Sequence, residues 1–342
     1  MPELATGKRV ATEKLTACPA CYSTQVRFLC RARDRLYECS PQEFEYSVCR
    51  DCRTLFQSLR PIEAEIGLFY PPAYGPYQGS DEITNNTAPF TGWQKFSNRF
   101  QTRSQPLLTR TNRFLDRCWP DALPPALANL YQPPHPQARL LDFGCGSDRF
   151  LNEARGRGWK TLGLDFSLQA VTGVQRSGHE AYLISPAVWD EIPEASLDLV
   201  RMNHVLEHLY DPRETLAKLY EKMKPGARLH LAVPNPESLS RKLFRSCWFS
   251  LDCPRHIILH SPDALPELLR SAGFTGIKLF QETLSKDFVR SLGYWRVARG
   301  GSRRTDPAAL AANPFLRELL HLPAKLAAAL NRADRIHCFA RK

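Results

Sequence analysis

Two pairs of cysteines near the start of the chain have the spacing of a metal site. Cys18 and Cys21 form one Cys-x-x-Cys pair, and Cys49 and Cys52 form the other. Two such pairs can present four thiolates in a tetrahedral array, which is the ligand set of a closed structural zinc site. A thioredoxin-like redox centre needs a single pair on a βαβ unit, and two pairs on short predicted strands fit it poorly. The spacing therefore predicts a zinc ribbon over residues 18–60 with these four cysteines as its ligands.

The cysteine count also bears on the redox state of the chain. Eleven cysteines are an odd number, and no apolar signal-peptide segment follows Met1. Both observations argue against a disulfide framework and for reduced thiols. No apolar run approaches the roughly 20 residues that span a bilayer. We therefore expect a cytoplasmic protein with reduced cysteines, four of which bind zinc.

A glycine-containing turn follows the first apolar run of the second half of the chain. Its chemistry-bearing residues, with the carboxylate that ends the next apolar run, are Asp142, Gly144, Cys145, Gly146 and Asp165. A Gly-x-Gly turn lets the backbone approach a ligand closely, and the helix that follows directs its N-terminus to the same place. The dinucleotide fingerprint fails, because Arg149 occupies the position of its third glycine. Asp165 is placed to accept hydrogen bonds from both hydroxyls of a ribose.

The elements that must position this turn follow from the pattern of apolar runs. After Pro136, short apolar runs alternate with helical segments, which is typical of a parallel α/β sheet. The predicted strands are 139–143, 160–164, 181–184, 197–202, 229–233, 277–280 and 335–340, with helices at 149–157, 168–177, 212–223 and 262–272. Ligands of such sheets bind beyond the carboxyl ends of the strands, where the glycine turn lies.

The turn and its surroundings resemble the class I S-adenosylmethionine (SAM)-dependent methyltransferases. The segment Asp198–Pro212 is similar to the fourth strand and following loop of one such group, and Lys224-Pro-Gly and Val233-Pro-Asn match its fifth-strand region. The resemblance implies an α/β fold with a doubly wound, Rossmann-like sheet of seven mostly parallel strands, in an enzyme that uses SAM as methyl donor. It assigns cofactor binding to Asp142, Gly144, Cys145, Gly146, Asp165, Phe166 and Asn203.

Two positions depart from that family pattern. Asp148 stands where the last glycine of the motif is expected, and from there its carboxylate would pair with the ammonium of the cofactor's methionine. The third predicted strand continues into Ile184-Ser-Pro, which lacks the acid that often binds the adenine amine. The expected cofactor contacts are therefore concentrated at the turn and at Asp165.

The N-terminal region extends the resemblance. Together with Leu59-Arg-Pro and Tyr70-Pro-Pro-Ala-Tyr, the cysteine pairs are similar to the zinc-binding module and connecting helix of bacterial sugar methyltransferases and their uncharacterised relatives. This implies an acceptor that is a sugar or sugar-linked small molecule, in surface-polysaccharide or secondary-metabolite biosynthesis. Two alternatives stay open, a zinc-ribbon RNA methyltransferase and a non-catalytic zinc-ribbon adaptor. Salt-dependent binding of nucleic acid would indicate the first, whereas the intact glycine turn argues against the second.

Two histidines are the candidate catalytic residues. The loop 234–260 follows the predicted fifth strand and faces the cofactor edge of the sheet. Its His256 matches a histidine that the resembled sugar C-methyltransferases use as a base, and a positioned imidazole suits that role near neutral pH. A structural histidine is the alternative for His256, and His208 is the second catalytic candidate. His204–His208 also matches the H-x-x-E-H metalloprotease string, but it follows a strand instead of lying on a helix, so we assign no catalytic metal.

Positive charge is concentrated towards the C-terminus. The formal net charge is +11, and residues 286–342 hold twelve Lys or Arg against four Asp or Glu. Such a face can meet nucleic acid, an anionic membrane or a phosphorylated substrate, but a solvated surface is the simpler interpretation. The basic amphipathic segment 239–249 is a candidate for peripheral membrane contact, although core packing of its apolar residues is favoured. We expect a small-molecule acceptor and no nucleic-acid partner, and the sequence does not set the oligomeric state.

Composition divides the chain into four segments. They are a disordered tail at 1–17, the zinc ribbon at 18–60, a helical connector and linker at 61–135, and the methyltransferase-like domain at 136–342. The last segment contains the substrate loop 234–260 and a basic C-terminal helical region.

Overall fold

The computed structural model describes residues 9–77, 107–114, 130–282, 285–300, 310 and 313–342. Residues 1–8 of the predicted tail and a large part of the predicted connector at 61–135 lie outside the described residues.

Strands and helices alternate along the second half of the chain, as the apolar runs predicted. The strands are, in chain order, β1 Thr12–Lys14, β2 Val26–Ala32, β3 Phe44–Cys49, β4 Leu55–Pro61, β5 Arg139–Phe143, β6 Lys160–Asp165, β7 Glu180–Leu183, β8 Leu197–Asn203, β9 Met223–Pro234, β10 Ile258–Leu259, β11 Thr275–Glu282 and β12 Arg335–Arg341. The α-helices are α1 Arg149–Gly156, α2 Leu168–Arg176, α3 Pro212–Lys222, α4 Leu239–Phe244, α5 Ala264–Ser271, α6 Ser285–Ala298, α7 Pro314–Leu319 and α8 His321–Ala329. Residues 107–114 are also helical.

Seven strands form the larger sheet in the order β11-β12-β9-β8-β5-β6-β7. The pairings from β9 to β7 are parallel, whereas β12 runs antiparallel to both β9 and β11. Leu140 and Leu141 are adjacent in β5 but pack into different apolar clusters, because successive strand side chains point to opposite faces. The doubly wound, mostly parallel seven-stranded sheet is therefore confirmed.

The strand predicted at 229–233 begins earlier than expected. The helix predicted at 212–223 ends at Lys222, one residue before its predicted end, and β9 begins directly after it at Met223. The β8–β9 register is irregular between the pairs Leu197–Met223 and Leu199–Arg228. Pro225 and Gly226 lie within this irregularity, where a strand tolerates a residue that donates no ladder hydrogen bond.

The smaller sheet contains the cysteine pairs. Its order is β1-β4-β3-β2, and β10 from loop 234–260 pairs antiparallel with β4. The expectation of a disordered tail does not hold for residues 12–14, which form β1 and pair with Leu59–Pro61 of β4. Such a short strand has no alternating apolar pattern by which the sequence could predict it, because backbone hydrogen bonds are what join β1 to β4. We call residues 9–61 of this sheet the cysteine module.

The cysteine module and loop 234–260 share one apolar core. Phe44, Tyr46 and Leu55 of the module pack in the same cluster as Trp248 and Leu251 of the loop. The loop is therefore attached to both sheets. The predicted amphipathic segment divides accordingly, because Trp248 is buried whereas Leu239 and Leu243 are exposed.

In the ranges described above, no helix is both long and apolar enough to cross a membrane.

Candidate functional site

The four cysteine side chains converge on one point. The Sγ atoms of Cys18 and Cys52 lie 3.6 Å apart, and those of Cys21 and Cys49 lie 3.5 Å apart. All four Sγ atoms lie within 4.8 Å of one another. Four sulfur atoms at these separations form a donor set that suits tetrahedral zinc.

The two cysteine turns have the same local geometry. Tyr22 and Arg53, the residues after each second cysteine, have φ angles of +62° and +61°. Each donates its backbone N–H to the carbonyl oxygen of the first cysteine of its own turn, at 2.8 and 3.1 Å respectively. This repeated backbone conformation directs both pairs of thiols to the same place.

A cavity of about 1110 Å³ lies at the carboxyl ends of the parallel strands. Its walls come from the glycine turn, the ends of β6 and β8, the segment 63–77, loop 234–260 and α6. The predicted cofactor residues Gly144, Cys145, Gly146, Asp165, Phe166 and Asn203 all line it, as do His208 and His256. The cavity therefore brings the predicted cofactor and catalytic residues together in one space.

The glycine turn is tightly packed on both sides. Gly144 has a φ of +72°, and a Cβ there would lie 2.4 Å from a methyl carbon of Val205. Gly146 has a φ of +63°, and its Cβ would lie 2.8 Å from the carbonyl oxygen of Pro76. Both the positive φ and the close neighbours exclude a side chain. The segment 63–77 thus lies directly against the turn.

Asp165 fastens the turn to the end of β6. Its carboxylate accepts the backbone N–H of Gly146 at 2.8 Å and that of Ser167 at 2.9 Å. Burial raises the pKa of Asp165, and these two backbone donors oppose that shift. Each carboxylate oxygen accepts one of these bonds, so each keeps a further lone pair for a hydroxyl donor.

Asp142 lies behind the cavity instead of lining it. The side chain is fully buried, and one oxygen accepts a hydrogen bond from Arg201 Nη1 at 2.7 Å. Burial raises the pKa of Asp142, whereas the Arg201 charge opposes that rise. Arg201 lines the cavity and lies 3.9 Å from the ring centre of Phe150. We did not predict Arg201 as a site residue, although an arginine inside the apolar run of β8 is a signal of a paired buried charge.

Asp148 does not occupy the expected position. It was expected to pair with the ammonium of the cofactor's methionine, but its carboxylate accepts hydrogen bonds from Asn152 at 2.9 Å and Ser177 at 2.6 Å. Asp148 is not among the described residues that line the cavity. Because α1 begins directly after it, its side chain is drawn towards the first turn of that helix and the end of α2.

The two candidate histidines have fixed ring orientations. His256 Nδ1 lies 2.8 Å from the carbonyl oxygen of Ser250, and His208 Nδ1 lies 3.0 Å from that of Arg255. A carbonyl oxygen only accepts, so in His256 Nδ1 must carry the proton and Nε2 of the neutral ring has a free lone pair. The two rings meet edge to face, with centres 4.6 Å apart.

Two buried carboxylates flank His256 Nε2. Glu207 Oε1 lies 3.7 Å from it, and Asp252 Oδ2 lies 3.8 Å from it. Burial opposes the charge of Glu207, but the hydrogen bond from His204 and the neighbouring imidazoles lower its pKa to about 2. Burial likewise opposes the charge of Asp252, but Arg255 lowers its pKa to about 2. Both groups are therefore anions near neutral pH, and their negative charges lie beside the Nε2 edge of the His256 ring.

His208 stays neutral in the same environment. Burial, assisted by the charge of His256, lowers the pKa of His208 to about 4. Tyr70 Oη lies 2.9 Å from its Nδ1. Tyr70 also begins an aromatic wall in which the Tyr70–Tyr74 and Tyr74–Tyr77 ring centres are 5.1 and 5.0 Å apart. The sequence analysis did not predict these tyrosines as site residues, because no feature of the sequence around them indicates that their rings face a cavity.

Comparisons with known proteins show the family of the chain. The sequence matches the family model described as a methyltransferase domain over residues 108–279, which is half of the chain. The chain belongs to this methyltransferase family. Of its relatives, the malonyl-[acyl-carrier protein] O-methyltransferase of Serratia marcescens is 28% identical over 124 residues, 36% of this chain and 48% of that protein.

A second relative is similarly distant. The mitochondrial ubiquinone biosynthesis O-methyltransferase of Schizosaccharomyces pombe is 31% identical over 114 residues, 31% of this chain and 41% of that protein. The methyltransferase chain thus spans less than half the length of these two curated relatives. A SAM-dependent methyltransferase structure from Archaeoglobus fulgidus matches 74% of this chain and 100% of its own, with 21% identity and a TM-score of 0.43.

Proposed function

We propose that this chain is a SAM-dependent methyltransferase that acts on a sugar or sugar-linked small molecule, with His256 as the general base. The observation that carries the proposal is the position of His256, which lines the same cavity as the glycine turn and whose Nδ1 is held by the Ser250 carbonyl, so that Nε2 of the neutral ring has a free lone pair. The turn is where the family places its cofactor, so donor and base would share one space.

The residues at the turn fit SAM. Gly144 and Gly146 keep the backbone close to the cavity wall, and the lone pairs left on Asp165 suit the two hydroxyls of a ribose. Cys145, Phe166 and Asn203 would complete the contacts, whereas Asp142 would act from behind by orienting Arg201. When bound, SAM would supply a methyl group attached to a positively charged sulfonium.

His256 would accept the proton of the acceptor. Its Nδ1–H is held by the Ser250 carbonyl, which leaves Nε2 as the basic atom. The anions Glu207 and Asp252 would stabilise the imidazolium that forms. His208 is the weaker candidate, because burial and the low pKa of about 4 disfavour its protonated form.

The lining of the cavity supports a hydroxylated acceptor. The rings of Tyr37, Tyr70, Tyr74 and Tyr77 provide flat apolar faces, while Asp252 and the histidines provide acceptors for hydroxyl protons. The two relatives named above are O-methyltransferases by name, which supports an oxygen nucleophile. A sugar-type small molecule satisfies both features.

The four cysteines are proposed to hold one structural zinc ion. Their convergence, with no fifth donor atom placed at the cluster among the described residues, supports a closed site.

Calorimetric titration tests the cofactor assignment. We expect the wild-type chain to bind SAM and Asp165→Asn to bind it about tenfold or more weakly, because the charge-assisted bonds to the hydroxyls are lost. Glu191→Ala removes an exposed carboxylate near the end of β7 and is the matched control. Absence of SAM binding to the wild type at millimolar concentration would refute the proposed function.

A panel of nucleotide sugars with radiolabelled SAM tests the acceptor and the base. We expect His256→Asn to lower turnover by about 10²–10⁴-fold, the usual contribution of a positioned general base, with SAM affinity unchanged. A His256→Asn variant with wild-type turnover would exclude His256 as the base and leave His208 to be tested.

A further inference from the structure

Loop 234–260 carries the candidate base between its helix α4 and its two-residue strand β10, and His256 belongs to neither element. Only Ile258 and Leu259 pair with the cysteine module, through β10, and Gln57 N–H donates to the Ile257 carbonyl at 2.9 Å. This pairing ends before Arg255. Near His256 the backbone N–H groups of Arg255 and Ile257 donate to the Asp252 and Glu207 carbonyls at 2.8 and 2.9 Å, and side-chain contacts connect this part of the loop to the cysteine module.

Arg255 provides these contacts from inside the protein. Its side chain is fully buried, and Nη2 donates to Asp34 Oδ1 at 2.9 Å and to Asp252 Oδ1 at 2.7 Å. Its Nε donates to the other oxygen of Asp252 at 3.1 Å, and its Nη1 to the carbonyl of Phe69 at 3.0 Å. One guanidinium thus joins the cysteine module, the segment 63–77 and the loop.

Asp34 is a rigid partner for this arginine. Its Oδ1 accepts the backbone N–H groups of Leu36 and Tyr37, both at 3.1 Å, and its Oδ2 accepts that of Cys39 at 3.0 Å. The carboxylate is therefore fixed by the loop between β2 and β3. The cysteine module therefore helps to set the position of the Arg255 guanidinium, together with Asp252 of its own loop.

Asp252 passes this position on to His256. Its carbonyl oxygen accepts the backbone N–H of His256 at 3.2 Å, and its carboxylate is one of the two anions beside Nε2. Asp252 also has a φ of +32°, in the left-handed region that is uncommon for residues other than glycine but that aspartate adopts more readily than most. The bidentate contact with Arg255 restrains its side chain.

We propose that Arg255 is a positioning residue that couples Asp34 of the cysteine module to Asp252, and thereby holds His256 in the tautomer whose Nε2 accepts a proton. Replacing a buried ion pair with apolar residues is often neutral or stabilising, so a buried Asp–Arg–Asp group is explained better by the conformation it specifies than by stability. The proposal rests on the proposed function only for the role of His256 as general base. The tautomer itself can be measured without acceptor or turnover.

Nitrogen NMR of the imidazole rings in the full-length protein tests the proposal, with His256 assigned from the spectrum of His256→Asn. We expect wild-type His256 to show a protonated Nδ1 and an unprotonated Nε2 at a pH where the ring is neutral. In Asp34→Asn we expect this distinction to be lost, with both nitrogens at averaged shifts. Glu45→Gln is the control, because it removes an exposed ion pair with Arg31 on β2 and β3 of the same module.

Several results would overturn the proposal. A wild-type spectrum in which Nε2 carries the proton would do so directly, even if no variant folds. So would a folded Asp34→Asn or Arg255→Lys variant with wild-type melting temperature and an unchanged His256 spectrum. Arg255→Lys keeps the charge but lacks the planar fork that bridges two carboxylates.

Turnover gives a second measurement once an acceptor is known. We expect Asp34→Asn to lower kcat about 10- to 100-fold, as a misplaced catalytic group does, while the KM for SAM stays at the wild-type value. A loss confined to the KM for SAM would contradict positioning of the base. Failure of every acceptor would contradict the proposed function, yet it would leave the tautomer result standing.

Discussion

Gly144 lies at a position in the turn that leaves no room for a side chain. We predict that Gly144→Ala weakens SAM binding at least tenfold and destabilises the fold, because its Cβ would lie 2.4 Å from a Val205 methyl carbon. A positive φ alone costs an alanine about 1–2 kcal/mol. Gly226→Ala separates the two effects, since Gly226 has a φ of +77° and no atom within 4 Å of its Cβ position. Titration with SAM and urea unfolding of both variants measure the difference, and equal behaviour would contradict the steric argument.

Arg201 illustrates the cost of a buried charge that loses its partner. We predict that Arg201→Met lowers the free energy of unfolding by about 3–5 kcal/mol, because the fully buried carboxylate of Asp142 would keep no counter-charge. The double variant Asp142→Asn with Arg201→Met removes both charges and should recover part of that loss. Urea unfolding of the two variants provides the measurement. A double variant no more stable than Arg201→Met would show that packing of the arginine, for example on Phe150, matters more than its charge.

At the scale of elements, the sequence predicted those strands and helices that a local pattern of apolar residues encodes. The strand predicted at 139–143 matches β5, because a short apolar run before a glycine turn has few other interpretations. By contrast β1 and β10 have only three and two residues, and both exist because distant chain segments pair with β4. Such pairing leaves no periodic signal in the sequence. The same holds for Arg255, whose partner Asp34 is remote in the chain.

The cysteine module allows a test of whether the attachment of loop 234–260 depends on a bound metal. We predict one zinc ion per purified chain, and its loss in Cys49→Ser, because four thiolates are needed for a closed site. Loss of metal should also expose loop 234–260 to protease, since β10 of that loop pairs with β4 of the module. Cys30→Ser, in β2 but outside the cluster, is the control. Metal analysis and limited proteolysis provide the measurement. Iron in place of zinc would contradict the assignment, as would finding no metal in protein purified without chelator.

At the scale of the whole molecule, the two sheets and the loop between them form one charged interior. The loop contributes His256, the module contributes Asp34 and the turn after β8 contributes Glu207, all buried, and the half-buried Asp252 of the loop lies beside them. Ionisable groups in such an interior bind protons differently in the folded and unfolded chain. Stability must therefore depend on pH.

We predict that stability falls as the pH decreases from about 6.5 towards 4. Burial lowers the pKa values of His208 and His260 to about 4, so both imidazoles stay neutral in the folded protein. An unfolded imidazole binds a proton near pH 6.5, so acidification favours the unfolded chain, by about 3 kcal/mol for each residue once the pH reaches 4. Asp334 opposes this trend, because burial raises its pKa to about 6 and the folded state holds its proton while the unfolded chain releases it.

His260 and Asp334 change the pH dependence of stability in opposite directions, so variants of the two residues test the sign of each contribution. We expect His260→Gln to flatten the fall in unfolding free energy between about pH 6.5 and pH 4, since one proton fewer is taken up on unfolding. We expect Asp334→Asn to steepen it, because the carboxyl group that favours the folded state at low pH is gone. Trp248 Nε1 donates to Asp334 at 2.8 Å, and an asparagine oxygen can keep that bond, so the change isolates the ionisation. Urea unfolding of the three proteins across this range provides the measurement. Parallel curves would mean that neither group titrates differently in the folded and unfolded states.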